Sequence, residues 1–476
     1  MPLLPFARQS KPGIDAAGYS GERLINYFAR PSDGVSPVVL IGRSGLPRKV
    51  HLGGSVRAML DASGKLFAVA DGRLWRVGAS LANLGLVTDD PKTSMAAGSG
   101  QVAVVSNGRY YLWDGTTLIP YATGPVEVPV SVTWQDGYFI VAGSGNGRSD
   151  LFAISGLDNG RTFGGLDYAV AESNSDGILS ILSDHGQVMA FGPNSIESFY
   201  NSGAAAFPFE PNLSAQIMRG VKDARTIAQE DNAVFWVGPD NVVYRYGGGA
   251  PTVISTREVE ETLAHATIAA AFAFTDRGHK FYCIRREGGS SLCYDITTGA
   301  WCERQTGEGP WIATCAVMSA GVQYVGTSTG SVCTVDSGEF ADDGAGFACE
   351  AVSGPVVQGG ALFSIRKLYL MIGMGDIALP DETETTELYD GAGDVITDAD
   401  GVALAVQVDG EPNGRVILQT SKDGRTWSLE KWRPLGRKGE FGKRVMWHAL
   451  GQFRRFQVRI KISDPVRRDI YGVSYE

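Results

Sequence analysis

No apolar run in the 476 residues approaches the roughly 20 that a bilayer-spanning helix needs, so membrane insertion by this chain is not expected. The opening MPLLPFARQSKPG has prolines where a secretory signal has its long apolar segment, and we expect synthesis in the cytoplasm without export. Cysteine is missing until Cys283. The six that follow (Cys283, Cys293, Cys302, Cys315, Cys333 and Cys349) form no C-x-x-C pair and read as small, reduced strand residues, with Cys283 and Cys293 spaced to face each other across a hairpin. His51, His185, His265, His279 and His448 include no two at ligand spacing, and no G-x-S-x-G elbow occurs. Gly143–Gly147 is glycine-rich but lacks the Lys-Ser/Thr of a phosphate-binding loop. The expectation is therefore no catalytic residue, no metal and no cofactor.

Glycine, by contrast, is abundant, with 62 residues, and it sits in turns rather than in a low-complexity tract. In Val102–Tyr121, VAVVSNGRYYLWDGTTLIPY, strand-forming runs alternate with Asn107-Gly108 and Asp114-Gly115, the positive-φ pairs that join antiparallel neighbours. The phrase returns at Leu66–Val77 (turn Asp71-Gly72), Val132–Ala142 (Asp136-Gly137) and Ala233–Tyr246 (Gly238–Asn241). Further copies are Phe272–Tyr294 (Arg277-Gly278, Gly288–Ser290), Cys315–Val335 (Ala320-Gly321, Thr329-Gly330) and, more weakly, Ile178–Tyr200 (Asp184–Gly186, Pro193-Asn194). Short strands repeating every 30–50 residues are the pattern of a β-propeller. The predicted fold is all-β, a propeller of six or seven blades followed by a β-sandwich-like domain.

The predicted organisation has three parts. Residues 1–50 form an arm punctuated by Pro2, Pro5, Pro12, Pro31, Pro37 and Pro47, with short strands at Leu24–Phe28 and Val38–Ile41. The arm either adds a strand to the last blade or lies on a neighbouring subunit. Residues 51–344 form the propeller, interrupted by one helix near 256–266. There Ser255 and Glu258 have capping-box spacing, and Val259, Leu263 and Ala266 repeat at helical spacing. Residues 345–476 form a second all-β domain with strands at Leu362–Ile372, Val402–Val408, Val416–Thr420, Trp427–Trp432, Val445–Ala449 and Phe456–Ile462. Its residues 375–400 are acidic, without Lys or Arg from Arg366-Lys367 to Arg415, and read as a projecting loop. Asp398 and Asp400 lie in it, without the spacing of an EF-hand.

Charge divides the chain. From Glu411 onward 15 Lys and Arg face 7 Asp and Glu, whereas the other 410 residues hold 27 against 45. The acidic body argues against a nucleic-acid-binding propeller. The basic end interleaves Arg433, Arg437, Lys438, Lys443, Arg444, Arg454 and Arg455 with Trp432, Trp447 and Phe456, the residue types that anchor interfaces. A protein–protein seam, a nucleic-acid contact and a plain basic sheet face all fit that pattern. Asp158–Phe163 (DNGRTF) is similar to the turns of sialidase-like propellers, and Ser421–Trp427 (SKDGRTW) misses that pattern by one residue. A glycan-binding or glycan-cleaving propeller is thus the alternative. Cleavage requires a carboxylate pair, or a Tyr–Glu nucleophile with an arginine cluster, to converge at the ring mouth from residues such as Glu172, Glu230, Arg225 and Arg245.

Several phrases together resemble one family. Ser175-Asp176-Gly177-Ile178 precedes Phe191-Gly192 and Ser195-Ile196-Glu197-Ser198-Phe199. Thr93-Ser94-Met95-Ala96 with Asn107-Gly108 forms a second block, and Ser255–Glu261 a helical one. Lys443-Arg444-Val445-Met446-Trp447, Gly451, Arg454 and Asp464-Pro465-Val466 close the chain, and Asn26, Pro31 and Gly45-Leu46-Pro47 open it. In order and spacing these resemble the tail hub (nozzle) proteins of short-tailed bacteriophages, the packaged-DNA stabilisation or tail accessory family, from about residue 20 to the end. The resemblance implies a non-enzymatic virion protein, assembled in the host cytoplasm as a homo-hexamer of the tail. Its implied partners are the portal-attached adaptor ring, a tailspike or tail fibre, and a tail needle or plug. Genomic DNA would be retained, then pass through the channel without sequence-specific binding.

Overall fold

The computed structural model describes residues 2–4, 6, 9–11, 21–34, 36–171, 176–205, 207–373, 385–387, 405–407, 414–436 and 444–476. They fall into two compact units, one of Gln9–Ala16 and Arg43–Phe347, the other of Met1–Arg8, Ala17–Gly42 and Ala348–Glu476.

The first unit is a propeller of seven four-stranded antiparallel blades. Six blades use consecutive strands. The first runs from Val56–Ala62 to Ala82–Leu86, the second from Ser94–Gly98 to Leu118–Tyr121, and the third from Val128–Gln135 to Asn159–Val170. The fourth spans Ser180–Asp184 to Phe209–Pro211, the fifth Ala228–Glu230 to Thr252–Val253, and the sixth Ile268–Asp276 to Ala300–Thr306. The seventh has Ala313–Ser319, Val322–Thr327 and Ser331–Thr334, and its fourth strand is Arg48–His51, from upstream of the first blade. Part of the predicted arm thus closes the ring of its own chain.

One local rule builds all seven blades. The hairpin between first and second strands turns on two adjacent positive-φ residues: Ser63-Gly64, Ser99-Gly100, Asp136-Gly137, His185-Gly186, Asp231-Asn232, Arg277-Gly278 and Ala320-Gly321. Such turns match the right-handed twist of the flanking strands. Apolar side chains then fill the seams between blades, as Phe67, Val69, Val104 and Trp113 do between the first two. Around the sixth blade two buried ion pairs join packed rings. Arg304 pairs with Asp276 at 2.9 Å and lies over the rings of Phe274, Phe281 and Trp311, while Arg43 pairs with Asp342 and covers Phe347 at 3.5 Å.

The one α-helix among the described residues, Arg257–Ala264, packs Val259 and Leu263 into the seam of the fifth and sixth blades. It starts a residue later than its capping box predicts. Thr256 is the N-cap, and the Ser255 hydroxyl is committed elsewhere, accepting from the Val243 N–H and donating to Glu260. Tertiary bonds outcompeted the local cap.

The second unit is a sandwich. One sheet orders Arg23–Ile25, Cys349–Val352, Arg455–Ile462, Arg415–Ser421 and Lys431–Pro434; the other orders Tyr27–Pro31, Val38–Gly42, Ile470–Tyr475, Phe363–Ile372 and Val445–Phe453. Leu3 bridges to Ser474 and Phe6 to Ser353. Arm residues 23–42 are therefore integral to this unit, and the chain switches sheets at Asn26. That residue has φ 58°, is 1% exposed, and donates its side-chain amide to the Ala348 carbonyl at 2.7 Å. Between the sheets Trp447 donates to the Lys431 carbonyl at 2.8 Å, and Phe453 meets Phe456 edge-on at 4.7 Å. The strand predicted at Trp427–Trp432 is displaced to Lys431–Pro434; Ser428 instead exchanges bonds with Thr420, donating its N–H to the Thr420 carbonyl and accepting the Thr420 N–H on its hydroxyl. Of the predicted Val402–Val408 strand and acidic loop 375–400, only Thr385–Glu387 paired with Ala405–Gln407 is described; Asp398 and Asp400 lie outside the described residues.

Candidate functional site

The first strands of all seven blades line a central cavity of about 530 Å³. Its wall is small and hydroxylic. The Ser94 and Ser131 hydroxyls lie 3.3 Å apart, and those of Ser131 and Ser180 3.2 Å apart, linking three neighbouring blades. Of the charged lining residues Arg57, Asp223 and Arg225 are in ion pairs, while Lys222 donates to the Asn241 side chain and the Leu263 carbonyl. Arg57 holds Asp89 through two 2.8 Å bonds, and that donation keeps the Asp89 carboxyl below its usual range. Burial pushes the Asp223 carboxyl up, but bonds from Arg225 at 3.0 and 2.7 Å more than offset it, and the net shift is down. Of the groups that a sialidase-like mouth requires, Arg225 alone is found in the lining. Glu230 pairs with Lys280 at 3.2 Å and Arg245 approaches Asp231 at 3.8 Å, both outside it, while Glu172 is not among the described residues. Among the described residues no group of three or more His, Cys, Asp and Glu is placed to hold a metal ion.

The sialidase-like turns are explained by structure alone. Asp158 sits in its hairpin turn with φ 54° and donates its N–H to Gly137 at 2.7 Å. Asp423 accepts from the Thr426 hydroxyl and from the N–H groups of Thr426 and Arg425, and these bonds hold its carboxyl far below the usual range. The Asp-Gly-Ile phrase is equally architectural. Asp176 accepts from the Asn194 N–H at 2.7 Å, and a Cβ at Gly192 would lie 2.7 Å from that carboxylate.

On the sandwich, the structure divides the basic cluster that reads as one patch in the sequence. Arg433 is exposed on an edge strand and donates to the Met446 carbonyl at 3.2 Å, near exposed Arg444. Arg454, also exposed, donates to the Gly360 carbonyl at 2.8 Å, and half-buried Arg455 reaches Gln457 at 3.2 Å. The strand Val445–Phe453 separates the two pairs, about 30 Å if fully extended. Arg437, Lys438 and Lys443 lie outside the described residues.

Several interleaved cations serve the fold itself. Arg459 lies 4.2 Å over Trp427 and pairs with Glu350, Arg415 lies 5.2 Å over Trp432, and Arg468 is 3% exposed. The Lys431–Pro434 edge pairs only with Arg415–Ser421 among the described residues. There Leu429 is 89% and Trp432 53% exposed. Arg415 and Leu429 are additions to the sequence reading, and nothing local signals either: Arg415 meets Trp432 only through the pairing of the two strands.

Two family models match the chain: "Bacteriophage P22 Gp10, beta-propeller" over residues 14–336 and "Bacteriophage P22 Gp10, beta-sandwich" over residues 386–476. No curated protein matches. Similar solved structures include the computationally designed Ika8 protein, with 14% identity, TM-score 0.40, and coverage of 69% of this chain and 99% of that one. The WD40 β-propeller domain of Doa1 has 11% identity, TM-score 0.40, and coverage of 62% and 96%. BamB from Moraxella catarrhalis has 10% identity, TM-score 0.39, and coverage of 62% and 97%.

Proposed function

The chain belongs to the bacteriophage P22 Gp10 family, and from that premise we propose that this structural protein of the phage tail is the tail hub. In this reading six copies, assembled in the host cytoplasm, form a ring that extends the portal–adaptor channel. The ring retains packaged DNA, passes it during ejection, and anchors tailspikes or fibres and a needle or plug. No catalytic role is proposed. The observation that carries the reading is the family's propeller and sandwich matched in order along one chain.

Charge supports it. The 27 cations against 45 anions outside the last 66 residues suit a conduit that does not grip phosphates. Exposed Trp432 and Leu429, flanked by Arg433 and Arg444, suit a protein–protein seam, with Arg454 and Arg455 as a second contact and Arg437, Lys438 and Lys443 as further candidates. Cryo-electron microscopy of assembled tails tests the reading. Six copies around a continuous bore wide enough for duplex DNA are expected, and a lone propeller with an occupied mouth would overturn it in favour of glycan binding. Arg433→Glu with Arg454→Glu should block tail assembly while the isolated chain melts within about 1 kcal/mol of wild type, since both side chains are exposed.

A further inference from the structure

Three cysteines form one row across the sixth blade. Cys283 opposes Cys293 on the neighbouring strand, and Cys293 opposes Cys302 on the next. All three are buried, at 0%, 0% and 4% exposure, and all are free thiols. The Cys283 and Cys293 sulfurs are 2.8 Å apart. Cys315, Cys333 and Cys349 oppose Gly326, Val325 and Ile462 instead. Directly opposed residues of antiparallel strands have Cα atoms about 4.5–5.5 Å apart, inside the span that a disulfide bridges.

We propose that Cys283 and Cys293 are an oxidative modification site, where a peroxide converts the two thiols to a cross-strand disulfide that locks the central hairpin of the sixth blade. The chemistry balances. One thiol attacks the peroxide, giving a sulfenic acid and water; the second attacks that sulfur, forming the S–S bond and releasing another water. Two thiols are oxidised and one hydrogen peroxide is reduced to two waters. Register alone leaves Cys293 opposed to both Cys283 and Cys302; the 2.8 Å approach of the Cys283 and Cys293 sulfurs selects this pair, and the hairpin beyond it turns on Gly288 and Gly289, both at positive φ. Burial makes the reaction slow, since the hairpin must open to admit the oxidant. A chain made in a reducing cytoplasm would stay reduced there, and the bond would form once the particle meets an oxidising medium.

The test uses the full chain, purified reduced and treated with hydrogen peroxide in urea raised stepwise to just below the unfolding midpoint. The expected result is a fall from six to four titratable thiols, a non-reduced peptide joining Cys283 to Cys293, and a melting temperature a few degrees higher. Cys283→Ser and Cys293→Ser should each abolish that peptide, and Cys302→Ser should leave it intact. Six thiols persisting at every urea concentration, a bond to Cys302, or only intermolecular dimers would overturn the proposal.

Discussion

The propeller and the sandwich solve the same problem, covering sheet faces, with opposite uses of the chain. Six of seven blades are built from four consecutive strands, so most pairings close over a few residues. In the sandwich Arg23–Ile25 pairs with Cys349–Val352, and Leu40 meets Ile470. The propeller therefore depends on turn chemistry repeated seven times, and the sandwich on a few long-range junctions that occur once. Local errors should be absorbed in the first and fatal in the second, because closing a long loop costs entropy that only the completed core offsets.

The largest expected effect breaks that contrast outright. A chain of residues 43–347 should retain cooperative unfolding and strand-type circular dichroism, since it keeps all seven blades and Arg48–His51. Removing residues 1–42 from the full chain should leave residues 348–476 protease-sensitive, as that unit loses three strands. Stable fragments of that tail would refute the account.

A sharper test compares two asparagines in the same left-handed conformation. Asn26, with φ 58°, is buried at the sheet switch, whereas Asn107, with φ 48°, lies exposed in a hairpin. Asn26→Ala should cost about 2–5 kcal/mol, combining the positive-φ penalty with a lost buried hydrogen bond. Asn107→Ala should cost about 1 kcal/mol, the penalty alone. Equal losses in urea denaturation would erase the distinction.

The smallest expected effect is on pH dependence. Asp89, Asp150, Asp223 and Asp343 in the propeller have carboxyls held below their usual range, each beside an arginine (Arg57, Arg148, Arg225 and Arg48). A depressed folded-state pKa contributes stability above the unfolded value near pH ~4 and loses it as pH falls through the folded value. In the sandwich Asp423, bonded to Thr426 and Arg425, titrates the same way. His185, raised by its bond to Asp184, contributes in the opposite sense, below its unfolded value near pH ~6.5, and is lost as pH rises. Acidification from pH 5 to 3 should lower the melting temperature of residues 43–347, and high salt should shrink that drop, since these pairs are partly exposed.

The fold was legible wherever its cause was local. Asn107-Gly108, Asp71-Gly72 and Arg277-Gly278 announce their hairpins because positive φ is a property of two adjacent residues. Ser63-Gly64 and Ser99-Gly100 obey the same rule with plainer residues and were harder to see. The interface candidates were only half legible. Trp432 and Arg433 do lie exposed, but the sequence cluster reads as one patch what Val445–Phe453 separates into two, because sequence spacing does not record strand direction.

By itself the sequence determined an all-β chain of repeated hairpins, a helix set among the blades, a basic end and a family. Each follows from a property carried by neighbouring residues: turn conformation, periodicity, charge. Only the tertiary structure decided that Arg48–His51 closes the seventh blade, that residues 23–42 complete the sandwich, that half-buried Arg459 is held between Trp427 and Glu350, and that Arg468 is buried. The two strand closures rest on pairings between residues hundreds of positions apart, where open strand edges find partners that no local pattern specifies.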